Sequence, residues 1–403
     1  MALWVIAIAS LSASADTTPP STWVALKALP HQGRAAMFAL AVDPTNRQAV
    51  IAGTSDGSLL RSTNAGAGWT LVHSGKTYVT TISFSPVTSK LVLAGTRGSG
   101  AVMSRDGGAT WAPTTGLEGR NVRVFAFALT LIAAGTDRGI YVSSDGIAWT
   151  QSGLADRSVN ALAVEAIHAP VRLIAGTDIP VSGGTLPLFQ SLDGGASWSQ
   201  LTPQISGTIT VRLAAGPLPP TGTIRPLIVG TNTGLFASTD NGLTFSPLSG
   251  GGLLPSTDYT QAIFVTDHFD HFYVASDGGG SGSGGLWRTR DGGQTFASLD
   301  PPEASVTAVA VSNDESPTLY VATFGPSTHT ASLWVYYDTG GTPQGPALGQ
   351  PATASGARAS RPGDASLWSQ ILGSPQLPYI GLGLGALAVI FTAIVAHLRA
   401  RTR

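Results

Sequence analysis

The 403-residue chain contains no cysteine. It therefore holds no disulfide scaffold, thiolate zinc site, iron–sulfur cluster or cysteine nucleophile. Charge is scarce as well. Only 11% of residues are charged, 22 Lys and Arg against 23 Asp and Glu, where an ordinary soluble domain has about 25%. This excludes a nucleic-acid binder that works by charge and a disordered acidic tail. Glutamate is confined to Glu118, Glu165, Glu303 and Glu315, and 7 His are scattered along the chain. A metal enzyme would have to lean on carboxylates, so no metal or cofactor is expected. What the chain has in quantity is glycine, 50 residues, and proline, 26, within a composition that is 43% hydrophobic.

The ends differ from the middle. Residues 2–11 are apolar and lead to Ala13-Ser14-Ala15, a small-x-small pattern that reads as a secretory signal over 1–15, although no Lys or Arg precedes it. Residues 377–398 form a 22-residue apolar run followed by Arg399, Arg401 and Arg403. At about 1.5 Å per residue this run spans a hydrocarbon core of about 30 Å. The positive flank places 399–403 in the cytoplasm and the bulk of the chain outside. The Pro-, Gly- and Ala-rich stretch 341–376 reads as a flexible stalk. The expected product is a single-pass cell-membrane protein.

The middle repeats one unit. Octapeptides SRDGGATW (from Ser104), SLDGGASW (Ser191), STDNGLTF (Ser238) and TRDGGQTF (Thr289) recur, with STNAGAGW (Ser62) and the shorter SSDGIAW (Ser143) as variants. Their starts are 42, 39, 48, 47 and 51 residues apart. An apolar strand ending in Gly-Thr, such as VIAGT or LVLAGT, precedes the first five copies, with FYVAS and LYVAT as later variants, and an alternating strand such as TTISFS precedes that. Four strands in about 45 residues is the signature of a propeller blade. First strands begin near Ala36, Tyr78, Val122, Val159, Ile209, Tyr259 and Val306, giving seven blades over 21–340. The seventh lacks a fourth strand, and Asp338-Thr339-Gly340 resembles an octapeptide cut short. Ser21–Leu26 matches the segment that follows the other copies, so the N-terminal strand is expected to complete that blade and remove its free edge. The fold class is all-β, a seven-bladed propeller closed by the N-terminal strand, plus one C-terminal transmembrane helix.

The octapeptide resembles the Asp-box, or BNR, repeat of the sialidase-like propellers. The seven-bladed layout and basic lead-in loops look most like the photosystem II stability/assembly factor group. That resemblance implies a binding scaffold. Asn64, Asp106, Asp145, Asp193, Asp240, Asp291 and Asp338 are then structural: a carboxylate caps the turn's own amides, and the terminal Trp or Phe inserts between blades.

On the opposite face, lead-in loops carry Arg34, Lys76, Arg120 and Arg157, and second-to-third turns carry Arg97 and Arg138. Arg offers a planar fork for carboxylate or phosphate, so these six are the candidate site for a protein segment or glycan with anionic groups. The competing reading makes them solvated turn residues paired with Asp56, Glu118, Asp137 and Asp156. No catalytic residue is assigned. The alternative function is a membrane-tethered glycoside hydrolase, sialidase-like or xyloglucanase-like. The sialidase Arg-Ile-Pro motif is missing, since Ile224-Arg225-Pro226 has the letters in another order. A xyloglucanase would need paired carboxylates, for which Asp56, Asp137 and Asp178 are the candidates. The Asp267–His271 cluster reads as a solvated turn, with a divalent site as its alternative.

Overall fold

The computed structural model describes residues 23–26, 36–166, 170–178, 186–202, 205–220, 224–254, 257–280, 283–314 and 316–338. The expected signal 1–15, stalk 341–376, apolar run 377–398 and tail 399–403 lie outside these residues, as does Arg34. No helix among the described residues is long and apolar enough to cross a membrane.

The described chain forms seven four-stranded antiparallel sheets. Six use strands consecutive in sequence, with inner strands Met37–Asp43, Val79–Phe84, Val122–Phe127, Val159–Ala166, Thr210–Ala215 and Gln261–Phe264. The seventh runs Val306–Val311, Thr318–Gly325 and Thr330–Tyr337. Its fourth member is Trp23–Ala25, in register Trp23↔Tyr336, Val24↔Val335 and Ala25↔Trp334.

Second strands such as Val92–Thr96 and Ile132–Thr136 are buried at every position. An unbroken apolar run of this length suits a strand covered on both faces. The covering sheets are the neighbouring blades, and the buried side chains fall into seven clusters, one per joint. Blade one meets blade two through Ile51, Leu59, Val79 and Val92. Blade seven meets blade one through Tyr320, Val335, Met37 and Leu60. There the Tyr320 hydroxyl donates to the Arg47 carbonyl at 2.6 Å and the Thr307 hydroxyl to the Met37 carbonyl at 2.8 Å. Aromatic ends of the octapeptides lie in these joints: Trp111 packs between blades one and two and Trp198 between three and four.

Each third-to-fourth turn is held by a short-range network. In blade two the Ser104 hydroxyl donates to Asp106 Oδ1 at 2.7 Å and accepts the Gly108 N–H at 2.8 Å. Asp106 Oδ1 also accepts the N–H groups of Ala109 and Thr110, both at 2.9 Å, while Oδ2 accepts the Thr110 hydroxyl at 2.6 Å. The Asp193, Asp240 and Asp291 turns repeat the pattern with Ser197, Thr244 and Thr295. Asn64 accepts from the Ser62 hydroxyl and the Gly68 N–H, and Asp145 from Ser143 and the Ile147 N–H. Gly108 sits at φ 84°, and a Cβ there would stand 2.3 Å from Ile51 Cδ1 of blade one, so the position requires glycine on both counts.

Hydrogen bonds led by the Thr or Ser hydroxyl hold Asp106, Asp193, Asp240 and Asp291 at a pKa of about 2. Their folded pKa lies below the unfolded one. Their contribution to stability is therefore complete above about pH 4 and is lost as the pH falls toward 2. Acid titration followed by tryptophan fluorescence is expected to show this loss in that window. Ser191 is 1% exposed and accepts the Gly195 N–H at 2.7 Å. Ser191→Ala strands that donor and is expected to cost about 1–3 kcal/mol in urea unfolding.

Candidate functional site

The strand directions put the lead-in loops and second-to-third turns on one face and the octapeptide turns on the other. Backbone hydrogen bonds stitch the upper face from blade to blade. The Gly75 N–H donates to the Gly57 carbonyl at 2.9 Å, joining the Lys76 loop to the blade-one turn. The Gly98 and Gly100 N–H groups donate to the Arg120 carbonyl at 3.2 and 3.1 Å, and the Gly139 N–H to the Arg157 carbonyl at 2.8 Å. Arg97, Arg120, Arg138, Arg157 and Lys76 thus lie on one fixed arc over blades two to four. Lys76, Arg97 and Arg138 are exposed, and Arg120 and Arg157 are half-buried.

Two of these cations rest on rings. The Arg97 guanidinium lies 5.7 Å from the Tyr78 centroid and that of Arg157 lies 5.1 Å from the Phe189 centroid. Such stacking holds the fork without consuming its charge. Three of the four acids expected to pair with them are engaged elsewhere, and Asp156 is exposed and forms no ion pair among the described residues. Asp56 is desolvated, which raises its pKa, but hydrogen bonds from Thr54 and Ser58 outweigh this and hold it low. Glu118 accepts the Gly116 N–H at 2.8 Å and Asp137 the Asn121 N–H at 3.0 Å. Among the described residues, none of the five cations forms an ion pair within 4.0 Å.

Sequence reasoning missed an acidic sector on the same face. Asp258 precedes the inner strand of blade six and Asp277 follows its second strand. Burial and then the charge of Asp277 raise the Asp258 pKa. Glu303, leading into blade seven, accepts the hydroxyls of Thr323 and Ser332. The signal for Asp277 was present, since Ser276-Asp277 stands where Thr54-Ser55-Asp56 and Thr136-Asp137 stand in their blades. Asp178 makes a backbone bridge to Ile209 instead.

On the lower face Asp338 departs from the expectation of a truncated octapeptide. It is 1% exposed and reaches into blade six, where it accepts from the Tyr273 hydroxyl and pairs with Arg288 and, at 3.0 Å, Arg290. His271 Nε2 stands 3.5 Å from its other oxygen. Residue 336 explains the difference: Tyr336 occupies the place of the Ser or Thr whose hydroxyl organises the other turns. The Asp267–His271 stretch is not wholly solvated either, because His271 is 8% exposed and packs on Tyr273 at 5.3 Å between ring centroids. Among the described residues no group of three metal-ligating side chains occurs. Burial disfavours the Asp338 charge, but the nearby His271, the hydrogen bond from Tyr273 and the charges of Arg288 and Arg290 hold its pKa below the ordinary value.

Phe125 and Phe127 of blade three, Leu162 and Val164 of blade four and Leu213 of blade five help line a cavity of about 250 Å³ with no titratable side chain in its wall.

No protein-family model and no curated protein matches the chain. Solved structures do. U3-55K is 13% identical over 78% of this chain and 98% of that chain, with a TM-score of 0.57. YCF48 from Cyanidioschyzon merolae is 15% identical over 78% and 98%, with a TM-score of 0.53. A structure of YCF48 bound to D1 peptide is 16% identical over 80% and 96%, with a TM-score of 0.54. Likeness at these identities concerns the fold, a seven-bladed β-propeller.

Asp338→Asn removes the carboxylate charge while Tyr273 and His271 stay buried and Arg288 half-buried against it. It is expected to cost about 3 kcal/mol at pH 7 in urea unfolding. Because the folded pKa is depressed, the gap between variant and wild type is expected to close as the pH falls through the carboxylate range.

Proposed function

We propose that the propeller is a non-catalytic recognition or assembly scaffold whose upper face takes a protein segment or glycan bearing anionic groups. One observation carries this reading: five cations share an arc over blades two to four, none in an ion pair among the described residues, while Asp56, Glu118 and Asp137 are spent on turns. An uncompensated positive arc attracts anionic ligands and raises their local concentration. That YCF48, a propeller of this shape, has a structure bound to D1 peptide favours a protein segment over a glycan. In the same reading the octapeptides are Asp-box repeats that leave the lower face structural. The strand Trp23–Ala25 locks the ring. The run 377–398 anchors the chain in the cell membrane with the propeller outside.

The test is a paired glycan and peptide array probed with the purified chain, followed by fluorescence anisotropy on the best acidic hit. Arg97→Glu combined with Arg120→Glu is expected to weaken binding at least tenfold, and raised salt to weaken it in the wild type. Asp300→Lys, in the loop leading into blade seven and outside blades two to four, is expected to leave it within twofold. Equal binding by the charge-reversed variant and the wild type would falsify the reading.

A further inference from the structure

The innermost strands carry four charged side chains among the described residues: Asp43, Arg123, Glu165 and Arg212. Three are matched. Asp43 accepts from Thr45 at 2.8 Å, Arg123 donates to Asn160, and Glu165 pairs with Arg172. Arg212 forms no ion pair among the described residues, and its Nε is out of reach of solvent with no acceptor.

Its position is specific. Register sets Arg212 opposite Gly230, as it sets Ala39, Thr81, Val124, Ala161, Gln261 and Ala308 opposite the matching residue of their own blades. Only blade five puts a cation there. A Cβ on Gly230 would stand 3.4 Å from Arg212 Cβ and 2.4 Å from the Tyr259 carbonyl, so the side chain leaves its strand toward blade six. Room for it comes from the next residue position. Blades one to five and seven hold Leu40, Ile82, Phe125, Leu162, Leu213 and Val309, whereas blade six holds Ala262. A large side chain in one blade is matched by a small one in the next.

Packing alone would be served by an apolar residue. A guanidinium held there is desolvated without a counter-charge, an arrangement that costs stability unless something pairs with it. Burial accordingly lowers the Arg212 pKa, and no acid acts in the other direction. The residue remains half-buried, and Thr210–Ala215 is the innermost strand of its blade.

We propose that Arg212 is an oxyanion site in the wall of the central channel, between blades five and six, taking a carboxylate or phosphate group. The site is separate from the outer arc and does not rest on the proposed role of that arc.

The experiment titrates the purified full chain with inorganic phosphate and, in a second arm, with acetate, at constant ionic strength set by chloride. Heat release and the melting temperature are both recorded. A ligand that binds only the folded state raises the melting temperature with its concentration. Wild type is expected to bind one oxyanion per chain and to melt higher as it fills. The arm with the larger response tells phosphate from carboxylate. Arg212→Met is expected to abolish both signals and to melt above wild type when no oxyanion is present. Arg212→Gln serves as the second variant should Met impair folding, with the same loss of binding expected. Lys90→Ala, in the exposed first-to-second turn of blade two and outside the arc, is expected to keep the response. Retention of the full response in either Arg212 variant overturns the assignment, as does a wild type that responds to neither anion.

Discussion

Everything in this molecule depends on apolar packing between neighbouring sheets that has to close on itself. A blade has two apolar faces, so each needs a partner on both sides. The buried clusters are accordingly shared between sheets rather than contained in one. Burying one Val, Leu or Phe contributes about 1.5–3 kcal/mol, and each joint buries between 8 and 12 hydrophobic residues, alanines included, which sets the strength of the ring against the chain entropy it removes. The joint between blades seven and one bears the greatest topological load, because its two sides lie at opposite ends of the described chain. Tyr320 to Arg47 and Thr307 to Met37 are its polar fasteners.

The two faces of the ring have different chemistry for a reason visible in the hydrogen bonds. Below, carboxylates and hydroxyls are consumed within their own turns, and Arg61 adds a bond from blade one to the Gly107 carbonyl of blade two at 2.8 Å. Above, the turns are fixed mainly by backbone bonds and by Asp56, Glu118 and Asp137, which frees the guanidinium groups of the arc. A face whose shape is set by the main chain can vary its side chains without losing its frame. That is the usual position of binding residues on a rigid scaffold.

What could be read from the residues is what acts over short separations. The octapeptide networks join residues two to four apart, so they leave a spacing, and the Gly-Thr strands leave an apolar run. Seven sheets and their starting points follow from these. Long-range pairing leaves no such trace. Asp338 finds Tyr273 and Arg290 across 65 and 48 positions, and its Asp-Thr-Gly context suggested a turn. His271 looked solvated because its neighbours Asp267 and Asp270 are polar, yet it is buried against blade seven. Arg212 is one basic residue in an alternating strand; what makes it unusual is the lack of an ion-pair partner among the described residues. The expected pairing of the upper cations with Asp56, Glu118 and Asp137 failed for a local reason, since turn amides and hydroxyls compete for the same carboxylates.

The central claim is that a seven-membered ring is completed by the pairing of Trp23–Ala25 with Thr330–Tyr337. A chain without cysteine allows a clean measurement. In the double variant Val24→Cys, Val335→Cys the two positions are direct cross-strand partners. Mild oxidation should join them within the monomer, give a faster band on a non-reducing gel, and raise the melting temperature relative to the reduced form. Two free thiols in a folded, oxidant-treated monomer would contradict the ring as described.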